Sequence, residues 1–299
     1  FMNPSILQKL LKMTNELYEK EAQSFSDTRK DVWEKEIIDF VDKIEPGAGV
    51  LDLGCGNARL LDMILKLKVE NEKPQLKTKN QNAKSYSDIR TCPSELQRSG
   101  KNLRIDYTGI DKNKKFIEMN NKKYLSAKSA VSASFEVGDG LTMKFKNKFD
   151  YIICNAVLHH IPSKKLQLKF LKNIYQALMP KGQVLISVWN RWQERYEKYF
   201  PAKNLKLKIK NQNLKIKTIN NITIEQYNNI NINDLEINDQ IVPWRQSGRF
   251  RYIHAFTPAE LKNLAQRAGF KNIQVFTSRH GVKTTLDNAL NIYLIAEKN

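Results

Sequence analysis

Hydrophobic residues recur along this chain with two periods, and the alternation between them predicts its elements. From Pro4 to Gln23, the residues Ile6, Leu7, Leu10, Leu11, Met13, Leu17 and Tyr18 follow a roughly 3.6-residue period, which marks an amphipathic helix needing a surface to lie on. After a capping-type break around Ser26-Asp27-Thr28, a second helix is expected from Asp31 to about Ile44, ended by Pro46-Gly47. Short apolar runs then alternate with helical ones. GVLDL is a strand followed by the helix RLLDMILKLK, and RIDYTGID a strand followed by KKFIEMNNKKYL. ASFEVGD and FDYIICN are two further strands. The helix KKLQLKFLKNIYQALMP is expected to run to Pro180, with a turn at Lys181-Gly182 and a fifth strand, QVLISVWN. Near the end, Thr257-Pro258 caps a helix that Gly269 terminates, and KNIQVFTSR and NIYLIAEKN are strands joined through a turn containing Gly281. Strands alternating with helices argue for an α/β chain whose parallel sheet carries helices on both faces.

Two stretches break the pattern. Residues 69–101 are polar, contain Pro74, Pro93 and Gly100, and show no sustained period, so they are expected to be a surface insertion. A second insertion is expected at 198–240. Within it, Lys198 to Ile224 holds seven lysines and no acidic residue, the composition of a basic arm or a flexible segment that touches nucleic acid.

Composition sharpens this picture at one point. The chain has 299 residues with 41% apolar content, enough for a substantial core in a single domain spanning 1–299. Its formal net charge of +19 favours a polyanionic partner, nucleic acid ahead of an anionic membrane surface. The three cysteines form no CxxC pair, so neither a disulfide framework nor a cysteine zinc site is indicated. No spacing among the histidines, cysteines and acids suggests a bound metal. No apolar run has transmembrane length and no signal-peptide core is evident, which makes a cytoplasmic location the expectation.

The candidate chemistry starts at Gly49–Ala58. A strand runs into Gly54-Cys55-Gly56, and a helix follows at once, so backbone N–H groups are presented to a ligand with no Cβ in the way. A dinucleotide fingerprint would need a third glycine where Arg59 stands, and the phosphate-loop pattern is absent too. What remains is Asp52 inside the strand, the G-x-G turn, and carboxylates at the ends of the next two strands. Asp111 is placed to accept both hydroxyls of a ribose and Asp139 to accept from an adenine amino group. With no basic cluster at the turn, a cofactor without phosphates is favoured.

These residues resemble the motifs of the class I S-adenosylmethionine-dependent methyltransferases: LDLGCGN the first, GID the second, GDG the third and FDYIICNAVLHHIP the fourth. Within that superfamily FSDTR with Trp33, NAVLHHIPS, SVWN and RFRYIHAFTPAEL after VPW resemble the eukaryotic-type tRNA wobble-uridine carboxyl methyltransferases. The family usually has glycine where Ala58 stands, a change that a negative φ would accommodate.

The resemblance implies a Rossmann-like, seven-stranded, mostly parallel sheet whose last strand is antiparallel. Residues 1–45 and Val242–Phe256 would form a lid over it. It implies S-adenosylmethionine as cofactor, held by Asp52, Gly54, Gly56, Asp111, Asp139, Gly140 and Asn155. The partners it implies are tRNA and a small zinc-binding activator subunit. Arg29, Arg251, His160 and His254 match basic family positions near the substrate. A carboxylate acceptor is already ionised at neutral pH, so these residues would orient it or neutralise its charge, not remove a proton. A small-molecule methyltransferase and a non-catalytic tRNA-binding protein of the same fold remain as alternatives.

Overall fold

The computed structural model describes residues 2–29, 34–71, 105–124, 132–193, 196, 230, 234–244 and 247–299. Most of both expected insertions therefore lies outside the described residues, as do Trp33 and Cys92. In chain order the elements are α1 (Pro4–Lys20), α2 (Ala22–Asp27), α3 (Lys35–Val41), β1 (Gly49–Leu53), α4 (Arg59–Asn71), β2 (Asp106–Asp111), α5 (Lys114–Tyr124), β3 (Ser132–Val137) and β4 (Phe149–Asn155). A single 3-10 turn (Leu158–His160) leads to α6 (Lys164–Ala177), β5 (Leu178–Trp189), β6 (Asp239–Pro243) and β7 (Phe250–His254). The chain closes with α7 (Pro258–Ala268), β8 (Lys271–Arg279), β9 (Val282–Lys283) and β10 (Asn291–Glu297).

The main sheet has the order β3-β2-β1-β4-β5-β10-β8-β9. β1 pairs in parallel with β2 and β4, and β4 in parallel with β5. β10 runs antiparallel between β5 and β8, as expected of the last strand. The sheet has eight strands, not the expected seven. The eighth is the two-residue β9, which the turn at Gly281 folds back onto β8. The strands β6 and β7 form a separate antiparallel ribbon.

Local chemistry explains the boundaries. Asn3 caps α1, its Oδ1 accepting from Ser5 N at 2.9 Å, and Pro4 opens the helix. Thr257 caps α7 through Glu260 N at 3.1 Å, and Gly269 closes it at φ 108°. The expected long helix to Gln23 is divided at Glu21 into α1 and α2. Likewise α6 stops at Ala177, three residues before Pro180, because Leu178 turns extended and pairs with Phe149.

The two faces of the sheet carry separate cores. One joins Leu51, Ile152, Ile186 and Leu294 to α6 and α7 through Phe170, Leu171, Leu261 and Leu264. The other joins Val50, Tyr107, Ile153 and Leu185 to α3 and α4 through Ile37, Phe40, Leu61 and Ile64. A third cluster is formed by Met2 and one face of α1 (Ile6, Leu10, Met13) against Leu235, Ile241 and Tyr252 of the ribbon and its approach. Each such side chain, fully buried, contributes roughly 1.5–3 kcal/mol. The amphipathic face of α1 thus finds its surface on β6–β7.

Candidate active site

At the C-terminal end of β1 the chain turns so tightly that a side chain could not be accommodated. Gly54 sits at φ 81°, and a Cβ there would lie 2.3 Å from Val157 Cγ2. The Gly54 and Cys55 amides donate to the Ile110 carbonyl at 2.7 and 3.0 Å, which ties the turn to β2. The Gly56 amide donates to Asp111 Oδ2 at 2.9 Å, and the Asn113 amide donates to Oδ1 at 2.8 Å. Both Asp111 oxygens are thereby aimed, and each keeps a further lone pair. Burial pushes the Asp111 carboxyl upward against these two amide bonds.

Asp52 lies within the same wall, accepting from the Tyr107 hydroxyl at 2.6 Å. Burial raises it to about 7, with the Tyr107 bond opposing and neighbouring Asp111 reinforcing the shift. Asp139 accepts from the Leu141 amide at 2.8 Å and pairs with Lys112 Nζ at 3.1 Å. Asn155 Oδ1 accepts from the Ser187 hydroxyl. Asp52, Gly54, Gly56, Asp111, Asp139 and Asn155 line one cavity of about 340 Å³, together with Gly140. Gly140 serves packing: a Cβ there would fall 2.2 Å from the Phe170 ring. Ala58 departs from expectation, with φ at +54° rather than negative. Its methyl is held in the left-handed region that glycine would occupy without strain.

The opposite wall comes from α1, α2 and the residues after it, and the end of β5, with the ribbon beside it and not in its lining. Arg29 lines the cavity with its guanidinium 3.9 Å over the Phe25 ring and 5.3 Å from Trp244. Arg251 stands beside the cavity, its guanidinium 4.4 Å from the Trp189 ring and 4.6 Å from Trp244. Arg251 Nη1 donates to the Tyr18 hydroxyl at 3.2 Å, and the Tyr18 hydroxyl meets His160 Nε2 at 2.9 Å. His160 Nδ1 lies 2.8 Å from the Tyr252 carbonyl. A carbonyl only accepts, so Nδ1 carries the proton and Nε2 accepts from Tyr18. Burial, reinforced by Arg251, lowers His160 to about 3, so the ring is neutral.

His254 is placed elsewhere. It is fully buried outside the cavity, with Nδ1 2.7 Å from Asp239 and Nε2 3.2 Å from Glu260. Burial lowers its pKa, but the two carboxylates more than offset this and raise it to about 9. The Tyr252 hydroxyl also donates to Asp239, at 2.5 Å. His254 therefore fastens β7 to β6 and to α7. His159, also fully buried, packs on Trp189 at 4.6 Å.

The structure thus gathers Asp52, Gly54, Gly56, Asp111, Asp139, Gly140, Asn155, Arg29 and His160 around one cavity, sets Arg251 beside it, and leaves His254 apart. Sequence reasoning missed Tyr18 and Phe25. Tyr18 was absorbed into the apolar stripe of α1, and nothing in its spacing separates a wall residue from a core one. Among the described residues no group of three or more His, Cys, Asp or Glu could hold a metal ion.

Residues 25–275 match the family described as Methyltransferase domain. The chain belongs to that family. A mouse relative named probable tRNA methyltransferase 9B is 24% identical over 66% of this chain and 34% of its own length. The chain thus spans about a third of the length of such relatives. A Schizosaccharomyces pombe relative, named tRNA (carboxymethyluridine(34)-5-O)-methyltransferase, is 22% identical over 95% of this chain and 96% of its own. In fold, the chain is similar to a Methanosarcina mazei S-adenosylmethionine-dependent methyltransferase, with TM-score 0.51 and 18% identity over 90% of this chain and 98% of that one. It is also similar to the Burkholderia thailandensis 1,6-didemethyltoxoflavin-N1-methyltransferase, with TM-score 0.51 and 13% identity over 100% of this chain and 92% of that one.

Proposed function

We propose that this methyltransferase-family chain uses S-adenosylmethionine to methylate the carboxylate of 5-carboxymethyluridine at the tRNA wobble position, giving the methyl ester. The observation that carries the reading is one cavity that holds Asp52, Asp111 and Asp139 around the glycine turn and the Arg29 guanidinium across from them, with Arg251 beside it. The residues of the glycine turn fit the cofactor. Above Gly56 a Cβ would meet nothing nearer than the Phe25 ring, at 3.6 Å, so a ligand can approach the backbone. When bound, S-adenosylmethionine supplies a methyl group on a positively charged sulfur.

Asp111, with both oxygens already oriented, accepts from the ribose hydroxyls, and Asp139 lies at the next strand end for the adenine. Asp52 adds a carboxylate beside the turn. Arg29 faces the acceptor from the opposite wall, and Arg251 supports it from beside the cavity; both would bind and orient an acceptor carboxylate. Such an acceptor would take the methyl group in its ionised form, so no residue of this chain would need to remove a proton from it. No proton moves, which suits a wall whose one cavity-lining histidine, His160, already spends its lone pair on Tyr18.

The name and near full-length alignment of the Schizosaccharomyces pombe relative support the acceptor assignment, and the net charge of +19 supports a tRNA substrate. Mass spectrometry of nucleosides from tRNA carrying 5-carboxymethyluridine, incubated with the chain and cofactor, tests the reading. Appearance of the methyl ester is expected, and a parallel reaction with a small zinc-binding activator subunit tests that partner. No ester in either reaction overturns the acceptor assignment.

A further inference from the structure

The wall opposite the glycine turn depends on one side chain that belongs to no motif. Tyr18 sits in the last turn of α1 and is bonded at both ends. Its main-chain carbonyl accepts from Asn113 Nδ2 at 2.7 Å, and the Asn113 amide is one of the two that orient Asp111. Its hydroxyl accepts from Arg251 Nη1 at 3.2 Å and donates to His160 Nε2, whose other nitrogen is locked by the Tyr252 carbonyl. Its ring makes edge contacts with Phe25, His160 and Trp244, at 5.8, 5.4 and 6.0 Å. The contacts of Arg251 with the Trp189 and Trp244 rings, at 4.4 and 4.6 Å, hold the guanidinium in place but do not by themselves fix where its N–H groups point. The bond to Tyr18 fixes that direction, since among the described residues the buried Arg251 Nε has no hydrogen-bond partner.

We propose that Tyr18 is the positioning residue of the acceptor wall: its hydroxyl sets the rotation of the Arg251 guanidinium and occupies the lone pair of His160. The wall then offers donors to an acceptor that is already anionic, and its histidine is not available as a base to one that must first lose a proton. This role rests on the carboxylate-methylation reading for its kinetic consequence, but not for its structural one.

Tyr18→Phe keeps the ring and removes only the hydroxyl. Methyl transfer to the tRNA is expected to fall on the order of 10- to 100-fold, mainly in kcat, while calorimetry shows unchanged cofactor affinity. In a double-mutant cycle, Tyr18→Phe with Arg251→Lys is expected to be no slower than Arg251→Lys alone, because Tyr18 acts through Arg251. An unchanged kcat, additive losses or a lost cofactor affinity would each overturn the proposal.

A readout free of any acceptor separates the two claims. In proton–nitrogen spectra of the full chain, the Arg251 Nε–H signal, assigned by its absence in Arg251→Lys, is expected to be sharp and to shift or broaden in Tyr18→Phe. A signal that stays in place overturns the positioning role whatever the substrate. A signal that moves, in a chain that forms no ester on tRNA, leaves the role standing and removes only the acceptor reading.

Discussion

The two walls of the cavity are built by opposite strategies. The glycine-turn wall consists of short contiguous segments at the ends of β1, β2 and β3, and its carboxylates are aimed by backbone amides: Gly56 and Asn113 for Asp111, Leu141 for Asp139. The acceptor wall draws on α1, α2, β5 and β7, segments up to 233 residues apart in sequence at the Tyr18–Arg251 bond, and its cations are aimed by aromatic faces and one hydroxyl. Backbone amides give a geometry that is inherited from the strand register and is hard to lose by substitution. Side-chain stacking gives one that single substitutions can retune.

The sharpest way to break this contrast is Asp111→Ala. It removes the carboxylate proposed to serve both ribose hydroxyls, so cofactor affinity should fall by on the order of 100-fold or more in calorimetry, with the acceptor wall intact. Unchanged affinity would sink the ribose assignment.

The next effect belongs to the support of the ribbon, outside the cavity. His254 holds its proton up to about 9 in the folded chain, against 6.5 ordinarily. Its stabilisation is therefore complete below pH 6.5 and is lost as pH rises through 9, a difference of about 3 kcal/mol. The thermal midpoint should drop between pH 7 and 9.5, and His254→Gln should start lower and lose most of that slope. An equal slope in the variant would assign the alkaline loss to another group.

Smaller in effect, Arg251→Ala should slow methyl transfer by about 10- to 100-fold while leaving cofactor affinity unchanged. Full activity would remove Arg251 from the acceptor wall. The mildest change, Ala58→Gly, relieves a left-handed alanine at the cost of one buried methyl. Since the strain is about 1–2 kcal/mol and the methyl about 0.8 kcal/mol, chemical denaturation should show a gain of roughly 0.5 kcal/mol. A loss would mean that the methyl matters more than the backbone.

The same contrast decides what was legible in the sequence. Asp52, Gly54, Gly56 and Asp111 announce themselves because strand, turn and helix follow one another within a few residues, and a carboxylate at a strand end has few other uses. Arg29, His160, Arg251 and His254 were found through flanking motifs, which locate a segment without saying where a side chain points. His254 shows the cost: it shares RFRYIH with Arg251, yet β-strand alternation sends it into the Asp239–Glu260 pair instead of toward the cavity. Tyr18 was hidden because a tyrosine on the apolar stripe of a helix satisfies the packing period and carries its function only in its last atom. The eighth strand was missed for a simpler reason: two residues, Val282 and Lys283, are too few to show a period.

One contact bears on how this chain tolerates inserted sequence. Arg191 Nε donates to Gln240 Oε1 at 2.9 Å, so the points where the chain leaves β5 and returns to β6 are fastened to each other. Asn190 is held by the Leu286 and Ala289 carbonyls, and Asp239 by its bonds to Tyr252, His254 and the Glu236 amide. Exit and re-entry are thus secured by the fold itself, and lengthening a closed loop costs slowly, about 0.6 kcal/mol for each doubling. A change in the number of residues between Gln193 and Ile230 is therefore expected to leave the ends of β5 and β6, and both walls of the cavity, in place.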